Sequence, residues 1–315
     1  MLACYVTVNK GGKEMSKINI LEVGPRDGFQ NLKEFVDTDK KLKIIDGLID
    51  SGIKELEIGS FVSPKAIPQM KDAKEIATYC VKNYPDVKLY ALVPNLYGAK
   101  LAWDCGIRDI SYVISLSETH NKKNINRTHE ESITELKKII DSYPEMNICV
   151  GIATVFGCPF EGIPKIEDAV AFSKCLWENG IREINLADTI GIADPKQVRE
   201  TISALVEALP ECRWQVHIHD TRNMGMVNTL VAIESGITTV QSTLGGLGGC
   251  PFAPGASGNT ATEDLVYMLE RMGYDTGVDF NKLLELSKYQ KSLIEGVYSG
   301  HHVNIKSEIS SCQLS

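Results

Sequence analysis

The sequence has no apolar run long enough to cross a bilayer, and its first residues lack the basic start and the cleavage site of a secretory signal. A membrane-spanning helix needs about 20 mostly apolar residues, so none is predicted. No block of basic residues occurs either, which argues against a protein that binds nucleic acid. Together these absences predict a cytoplasmic protein that binds neither a membrane nor nucleic acid.

The sequence also has no C-x-x-C pair, although it contains nine cysteines. Their odd number and scattered positions favour reduced thiols over a disulfide framework or a zinc knuckle. With 33 basic and 41 acidic residues, the formal net charge is −8. An anionic substrate would therefore need a local cationic site rather than an overall positive field.

What the chain does contain is a regular alternation of short β-branched runs and amphipathic helical segments. Strands are predicted at residues 18–23, 55–60, 87–93, 109–115, 147–155, 182–188, 213–219 and 238–244. Helices are predicted at residues 39–50, 66–83, 98–105, 130–142, 166–179, 195–209, 224–235 and 263–272. Each predicted strand is therefore followed by at least one helix.

Eight such units predict parallel strands joined by helical crossovers, and eight strands close a (β/α)₈ TIM barrel. The main alternative, an open doubly wound sheet, usually carries G-x-G-x-x-G after its first strand, whereas this sequence reads Gly-Pro-Arg-Asp-Gly there. We therefore predict an α/β fold, a TIM barrel with a C-terminal helical appendage at 281–298. Residues 1–315 are predicted to form a single catalytic domain, with 1–14 as an uncommitted extension before Met15.

In such a barrel, catalytic groups lie at the C-terminal ends of the strands. His217 and His219, near the end of the seventh strand, point to the same face because they are two residues apart. Asp27, after the first strand, and Asn259, after the eighth, would complete a mixed nitrogen and oxygen ligand set. Such a set suits Mg²⁺ or Mn²⁺, and the alternative is a pair of hydrogen-bonded core histidines.

Other polar groups also lie at strand ends. The planar guanidinium of Arg26 can bond a developing enolate or a carboxylate. Glu57 and Asp188 are predicted either to orient Arg26 and the metal ligands or to form a charge pair inside the barrel. The glycine-rich segment 245–259 is predicted to be a flexible lid, which makes Cys250 a candidate for proton transfer.

Several segments, taken in order, resemble the 3-hydroxy-3-methylglutaryl-CoA lyases. They are EVGPRDGFQN (22–31), SFVSPKAIPQM (60–70), KKNIN (122–126), GCPFEG (157–162), LADTIG (186–191), HIHDT (217–221), and GLGGCPFAPGASGN with TEDLVYMLE within 246–270. The resemblance extends over about residues 18–300, and GGLGGCP is highly specific for these lyases. R-D-G-x-Q and H-x-H are shared more widely, with isopropylmalate and homocitrate synthases.

The resemblance implies a divalent-metal-dependent TIM-barrel lyase, with Mg²⁺ or Mn²⁺ as cofactor. Its acyl-CoA substrate would be 3-hydroxy-3-methylglutaryl-CoA, cleaved to acetyl-CoA and acetoacetate. A homodimer is also implied. The residues that match the family's metal ligands are Asp27, His217, His219 and Asn259.

The resemblance also implies roles for other residues. Arg26 would stabilise the enolate, and Cys250 would help to move a proton. Asp27 or His217, next to the metal, would accept the proton of the substrate hydroxyl. The residues that match surrounding or substrate-binding positions are Gln30, Glu57 and Asp188.

The sequence departs from the usual family pattern at Arg222-Asn223-Met224-Gly225, Ile114–Glu118 and Ala153–Phe156. Because these positions are expected near the substrate pocket, a related 3-hydroxyacyl-CoA is an alternative substrate. A condensing synthase is a second alternative, although the family's synthases usually append further C-terminal regions. A non-catalytic binding protein is the third, and it predicts the loss of at least one metal ligand.

Overall fold

Strands and helices alternate in the computed structural model of the protein, which describes residues 16–250 and 253–305. The predicted extension at 1–14 lies outside the described residues, and so do the side chains of Cys250 and of residues 253–257. The barrel strands are β1 (Asn19–Glu22), β2 (Glu55–Ser60), β3 (Lys88–Leu92), β4 (Asp109–Ser115), β5 (Asn147–Ala153), β6 (Glu183–Asp188), β7 (Arg213–Ile218) and β8 (Thr239–Ser242).

These strands are parallel and follow one another in chain order around a closed barrel. The barrel closes where β1 pairs with β8, with Ile20 opposite Val240. The predicted TIM barrel is therefore confirmed. Because all strands run in the same direction, the loops that follow them meet at one end of the barrel.

The helices of the described residues are α1 (Thr38–Asp50), α2 (Ala73–Asn83), α3 (Leu96–Asp104), α4 (Glu118–Ile125), α5 (His129–Ser142), α6 (Ile166–Glu178), α7 (Pro195–Ala208), α8 (Gly225–Glu234), α9 (Thr262–Arg271) and α10 (Phe280–Leu293). Local signals explain several of their starts. Asp194 caps α7 by accepting from the backbone N–H groups of Lys196 and Gln197, and Pro195 fills its first position. None of these helices is long and apolar enough to cross a membrane.

Three elements differ from the sequence-based prediction. The predicted helix at 66–83 begins only at Ala73, after a separate 3₁₀ turn, Pro68–Met70. Helix α4 was not predicted because its sequence, ETHNKKNI, has almost no apolar stripe, and it begins instead at the hydroxyl cap of Ser117. The glycine-rich segment contains an antiparallel pair, β9 (Gly249–Cys250) and β10 (Ala253–Ser257).

Helices do follow the barrel at its C-terminal end, as predicted. Helix α10 packs on α1, and Lys282 Nζ lies 2.9 Å from Asp50 Oδ2 there. It ends at Leu293, earlier than the predicted residue 298. The chain beyond it returns toward the barrel, where Gly300 N–H donates to Gly245 O at 3.0 Å.

The interior of the barrel is divided into an apolar part and a polar part. Leu21, Val23, Tyr90 and Cys149 form a small buried apolar cluster. Buried polar side chains on β6, β7 and β8 form the polar part, among them Glu183, Asn185, Gln215, His217 and Gln241. TIM-barrel interiors are usually filled by branched apolar residues, so this polar half is a departure.

A buried ion pair joins α1 to the start of α2. Lys41 is only 1% exposed, and its Nζ lies 2.8 Å from Asp72 Oδ1 and 2.5 Å from Gln69 O. Thr38 Oγ1 donates to the other carboxylate oxygen of Asp72 at 3.1 Å. The contact therefore holds the loop after β2, which lines the cavity described below, against α1.

We expect Lys41→Met to lower the free energy of unfolding by about 3–5 kcal/mol, because it leaves Asp72 charged and buried without its cation. Urea denaturation followed by circular dichroism measures this. Lys100→Met is the matched control, since Lys100 pairs with Asp104 at 2.6 Å but is 56% exposed. Its stability should stay at the wild-type value, because water screens an exposed ion pair. If both variants lost the same free energy of unfolding, burial of the Lys41–Asp72 pair would not be the reason for its contribution to stability.

Candidate active site

A cavity of about 570 Å³ lies over the C-terminal ends of the strands. Predicted site residues that line it are Arg26, Asp27, Gln30, His217 and His219. They come from the ends of β1 and β7, which are separated by about 190 residues of sequence but lie on either side of β8. Barrel closure therefore brings them together.

Asp27 and the two histidines form a cluster whose potential ligand atoms all lie within 4.8 Å of one another. Nε2 of His217 lies 3.1 Å from Nε2 of His219 and 4.0 Å from Oδ2 of Asp27. Two neutral imidazoles that meet through these nitrogens need either a proton or a cation between them, because two lone pairs would repel.

The protonation states favour metal binding. Burial lowers the pKa of His217, and burial together with the His217 ring lowers the pKa of His219 to about 3. For Asp27, burial acts to raise the pKa, but Arg26 and the histidines outweigh it and lower the pKa to about 2. Neutral imidazoles beside an ionised carboxylate are the forms that bind a metal ion.

Asn259 completes this cluster from the chain after β8. Its Nδ2 donates to Asp27 Oδ2 at 2.8 Å and to Leu247 O at 3.2 Å. Its Oδ1 is buried and has no hydrogen-bond partner among the described residues. An unpartnered oxygen beside a carboxylate and two neutral imidazoles fits a divalent cation with oxygen and nitrogen ligands.

Arg26 lies between two carboxylates. Its Nε donates to Glu57 Oε2 at 2.5 Å, and its Nη1 donates to Asp27 Oδ1. Burial alone would lower the pKa of Arg26, but these two carboxylates raise it above its ordinary value. The guanidinium is therefore a fixed cation, and because it lines the cavity, its other N–H groups are available to a bound substrate.

The turn that carries Arg26 and Asp27 is tied to the start of the glycine-rich segment. The chain leaves β1 through a wide helical turn, Gly24–Gly28. The buried carboxylate of Glu22, whose pKa burial raises to about 7, accepts from the backbone N–H of Gly24 at 2.8 Å and of Leu244 at 2.9 Å. One side chain thus fixes both loops relative to β1.

The first part of the glycine-rich segment is not a hinge. Leu244–Gly248 is buried, and Glu263 Oε2 accepts from Gly245 N–H at 2.8 Å. Gly246 has φ +66°, and a Cβ atom there would lie 1.8 Å from Ser299 Oγ. Glycine is needed here for close packing against the chain after α10. The lid prediction therefore concerns only residues from Gly249 onward.

The remaining predicted residues lie in different surroundings. Asp188 does not line the cavity, and its carboxylate accepts from the N–H groups of Ile192 and Ala193 at 3.1 and 3.2 Å. Burial raises its pKa to about 6. The backbone of Cys250 follows Gly249, which lines the cavity, but the Cys250 side chain lies outside the described residues.

The cavity also contains polar residues that the sequence analysis did not single out. Arg127, after α4, lines it and donates to Pro94 O at 2.7 Å. Asn185 lines it from β6, with a buried Oδ1 that has no partner among the described residues. The only sequence signal was the KKNIN segment near Arg127, since α4 itself was not predicted.

The fold and the cluster define a class of protein, a (β/α)₈-barrel enzyme with a candidate divalent-metal centre at the C-terminal end of the barrel. The sequence model of the HMGL-like family matches residues 17–289, and the chain belongs to this family. It is a carbon–carbon lyase of that family, whose members depend on a divalent metal.

Two relatives of this chain are named hydroxymethylglutaryl-CoA lyases. The chain is 43% identical to hydroxymethylglutaryl-CoA lyase YngG of Bacillus subtilis (strain 168) over 275 residues, which are 87% of this chain and 92% of that protein. It is 40% identical to the mitochondrial hydroxymethylglutaryl-CoA lyase of Homo sapiens over 286 residues, covering 90% and 88% of the two chains.

A solved structure is similar over nearly the whole chain. It is an HMG-CoA lyase from Acinetobacter baumannii in complex with coenzyme A and 3-methylmalate. The TM-score is 0.88 at 37% identity, and the match covers 94% of this chain and 97% of that chain.

Proposed function

We propose that this protein cleaves 3-hydroxy-3-methylglutaryl-CoA into acetyl-CoA and acetoacetate, with a divalent metal held by Asp27, His217, His219 and Asn259. The observation that carries the proposal is the cluster of Asp27 with two neutral imidazoles beside the Arg26 guanidinium, in one cavity. The relatives at 40–43% identity are named for the same reaction. All four proposed ligands are present, which a binding protein that had lost its activity would not require.

The reaction needs the C3 hydroxyl to lose its proton and the C2–C3 bond to break. The bonding electrons then form the thioester enolate, which takes a proton at C2 to become acetyl-CoA. When bound, a divalent ion lowers the pKa of the hydroxyl and polarises the oxygens that it contacts. Arg26 lies beside the ligands, held by Glu57, and its free N–H groups meet the enolate oxygen as negative charge develops.

Two proton transfers are assigned to residues of this chain. Asp27 accepts the proton of the hydroxyl, because both ring nitrogens of His217 are engaged. Nδ1 of His217 lies 3.1 Å from Gln241 Oε1, and its Nε2 faces His219 and Asp27, where the metal would be held. Cys250 would deliver the proton to C2, because Gly249 beside it lines the cavity.

Gln30 also lines the cavity and can bind the substrate. Glu57 orients Arg26, while Asp188 supports the loop after β6.

Of the residues at which the sequence departs from the family pattern, only Ala153 is among the residues that line the cavity. Arg222 points away from the cavity lining and donates to the carbonyls of Ile190 and Gly191, both at 3.0 Å. Within 153–156 only Ala153 lines the cavity, whereas Phe156 is fully buried in the core. The preference for 3-hydroxy-3-methylglutaryl-CoA over a related 3-hydroxyacyl-CoA therefore rests on the relatives named for that reaction.

The proposal also includes the metal ion, the oligomeric state, the cellular location and the domain organisation. The resident ion is Mg²⁺ or Mn²⁺, because the proposed ligand set contains no thiolate. The chain acts as a homodimer in the cytoplasm. The chain forms a single catalytic domain, with residues 1–14 as an uncommitted extension.

Metal removal is expected to abolish turnover. With 3-hydroxy-3-methylglutaryl-CoA as substrate, mass spectrometry should detect acetyl-CoA and acetoacetate in equal amounts, and EDTA followed by desalting should stop their formation. Mg²⁺ or Mn²⁺ should restore it, because two neutral imidazoles, a carboxylate and an amide bind such ions reversibly.

The control for substrate identity is a panel of other 3-hydroxyacyl-CoA thioesters under the same conditions. Faster cleavage of a different thioester would move the assignment to that substrate. Full activity of a rigorously metal-free preparation would refute the ligand assignment.

A further inference from the structure

Buried polar side chains form a continuous row through the barrel, from the metal cluster to the opposite end. His217 Nδ1 lies 3.1 Å from Gln241 Oε1, and Gln241 Nε2 donates to Gln215 Oε1 at 3.0 Å. Gln215 Nε2 then donates to Glu183 Oε1. All four residues are at most 8% exposed, so water does not compete for these bonds.

The carboxylate at the far end dictates the direction of the row. Tyr90 OH donates to Glu183 Oε1 at 2.7 Å, and Arg213 Nη2 donates to Glu183 Oε2 at 2.8 Å. A carboxylate only accepts hydrogen bonds, so Gln215 must present its amide NH₂ to Glu183. Its carbonyl oxygen is then left for the next residue, which must donate.

Each following residue of the row is constrained in the same way. Gln241 must turn its NH₂ toward Gln215, and its carbonyl oxygen therefore faces His217. An oxygen that faces a ring nitrogen requires that nitrogen to carry a proton, so Nδ1 of His217 is protonated. In the neutral ring the lone pair is then on Nε2, which is the nitrogen that faces Asp27 and His219.

We propose that Glu183, at the N-terminal end of the barrel, selects the metal-binding tautomer of His217 through Gln215 and Gln241. Glu183 is a positioning residue, and its role rests on the metal centre of the proposed function. Outer partners of metal-binding histidines commonly fix the ring tautomer. Here the partner of His217 is the side-chain amide of Gln241, which can either donate or accept a hydrogen bond. The Glu183 carboxylate can only accept, and it therefore sets which way the amides of Gln215 and Gln241 are turned.

Glu183→Gln tests the proposal, because an amide at this position can either donate to Gln215 or accept from it. Both directions of the row, and both tautomers of His217, then become available. Long-range ¹H–¹⁵N spectra of the metal-free, histidine-labelled protein report the tautomer. We expect a single Nδ1–H form in the wild type and a mixture in the variant. We also expect Mn²⁺ binding, measured by EPR without substrate, to weaken about 10–100-fold.

Tyr90→Phe is the matched control. It removes a hydrogen bond to the same carboxylate oxygen but leaves the carboxylate as acceptor, so the tautomer and the Mn²⁺ affinity should stay at wild-type values. Gln241→Glu in the Glu183→Gln background should restore the single tautomer, because it moves the carboxylate next to His217 Nδ1. A purely structural role for Glu183 predicts no such rescue.

Gln215→Leu interrupts the row in the middle and decides the question if Glu183→Gln does not fold. Retention of one Nδ1–H tautomer and of wild-type Mn²⁺ affinity in the folded variants would overturn the inference. The tautomer is read without metal or substrate, so this outcome is independent of whether the protein cleaves 3-hydroxy-3-methylglutaryl-CoA. Conversely, a protein without lyase activity that shows the tautomer shift refutes only the proposed function.

Discussion

Arg26→Lys is expected to lower kcat by about two to four orders of magnitude, which corresponds to roughly 3–5 kcal/mol of transition-state stabilisation. The guanidinium bonds Glu57 and Asp27 through two different nitrogens and still has N–H groups for the enolate. An ammonium keeps the charge but is a single point donor, so it cannot hold both carboxylates and the substrate in one plane.

Steady-state kinetics with saturating metal measure this effect, and circular dichroism checks the fold. Arg182→Lys is the matched control, because Arg182 is exposed at the other end of the barrel, beside the start of β6. Its guanidinium donates to the carbonyls of Trp177 and Ile181 and lies over the Trp177 ring, away from the cavity, so kcat should not change. A folded Arg26→Lys enzyme with near-normal kcat would remove Arg26 from the mechanism.

Cys250→Ser is expected to lower kcat by about 10²–10⁴-fold, because serine keeps the size of cysteine but is a far weaker acid for delivering a proton to carbon. The position of the backbone supports this expectation. Gly249, the preceding residue, lines the cavity, and its carbonyl accepts from Asn31 Nδ2 at 3.0 Å. The backbone of residue 250 therefore continues directly from a residue of the cavity lining.

Alkylation gives an independent test of the same thiol. Burial raises the pKa of Cys80 and of Cys212 to about 12, so these thiols should react slowly. Cys105 is half-buried and lies outside the cavity lining, which makes Cys105→Ser the matched control with unchanged kcat. Inactivation should map to Cys250 by peptide mass and should be slowed by saturating substrate. Inactivation that follows another cysteine, or a Cys250→Ser enzyme with wild-type kcat, would contradict the thiol's role.

Much of the architecture was predictable because its signals are local. Eight β-branched runs followed by amphipathic helices predict a parallel barrel, which the structure confirms, and strand ends in such a barrel meet at one face. The pair His217 and His219 could be placed there from its spacing alone, since alternate residues of a strand share a face. Asp27 and Asn259 follow the first and eighth strands, so they could be proposed as neighbours because the ends of parallel barrel strands meet at one face.

The orientation of Asp188 and the presence of α4 could not be predicted from local signals. Asp188 lies at a strand end, but Ala187 and Thr189 line the cavity, and Asp188 points the other way to bond the loop after β6. Alternate residues of a barrel strand point toward the barrel axis or away from it. Which residues point inward depends on how the strands pair around the closed barrel, and that pairing involves all eight strands. Helix α4 is short and polar, so it depends on its cap and on tertiary contacts rather than on a periodic pattern.

By itself, therefore, the sequence determined the class of fold, the end of the barrel that carries the chemistry, and the residue types available for a metal and an enolate. Only the tertiary structure decided that Arg26 is clamped by Glu57 and Asp27, and that Gly246 allows close packing against Ser299. It also decided that Glu183 is linked to His217 across the barrel. The physical reason is that hydrogen bonds and close contacts between distant segments depend on distances of a few ångströms, which strand and helix periodicity does not specify.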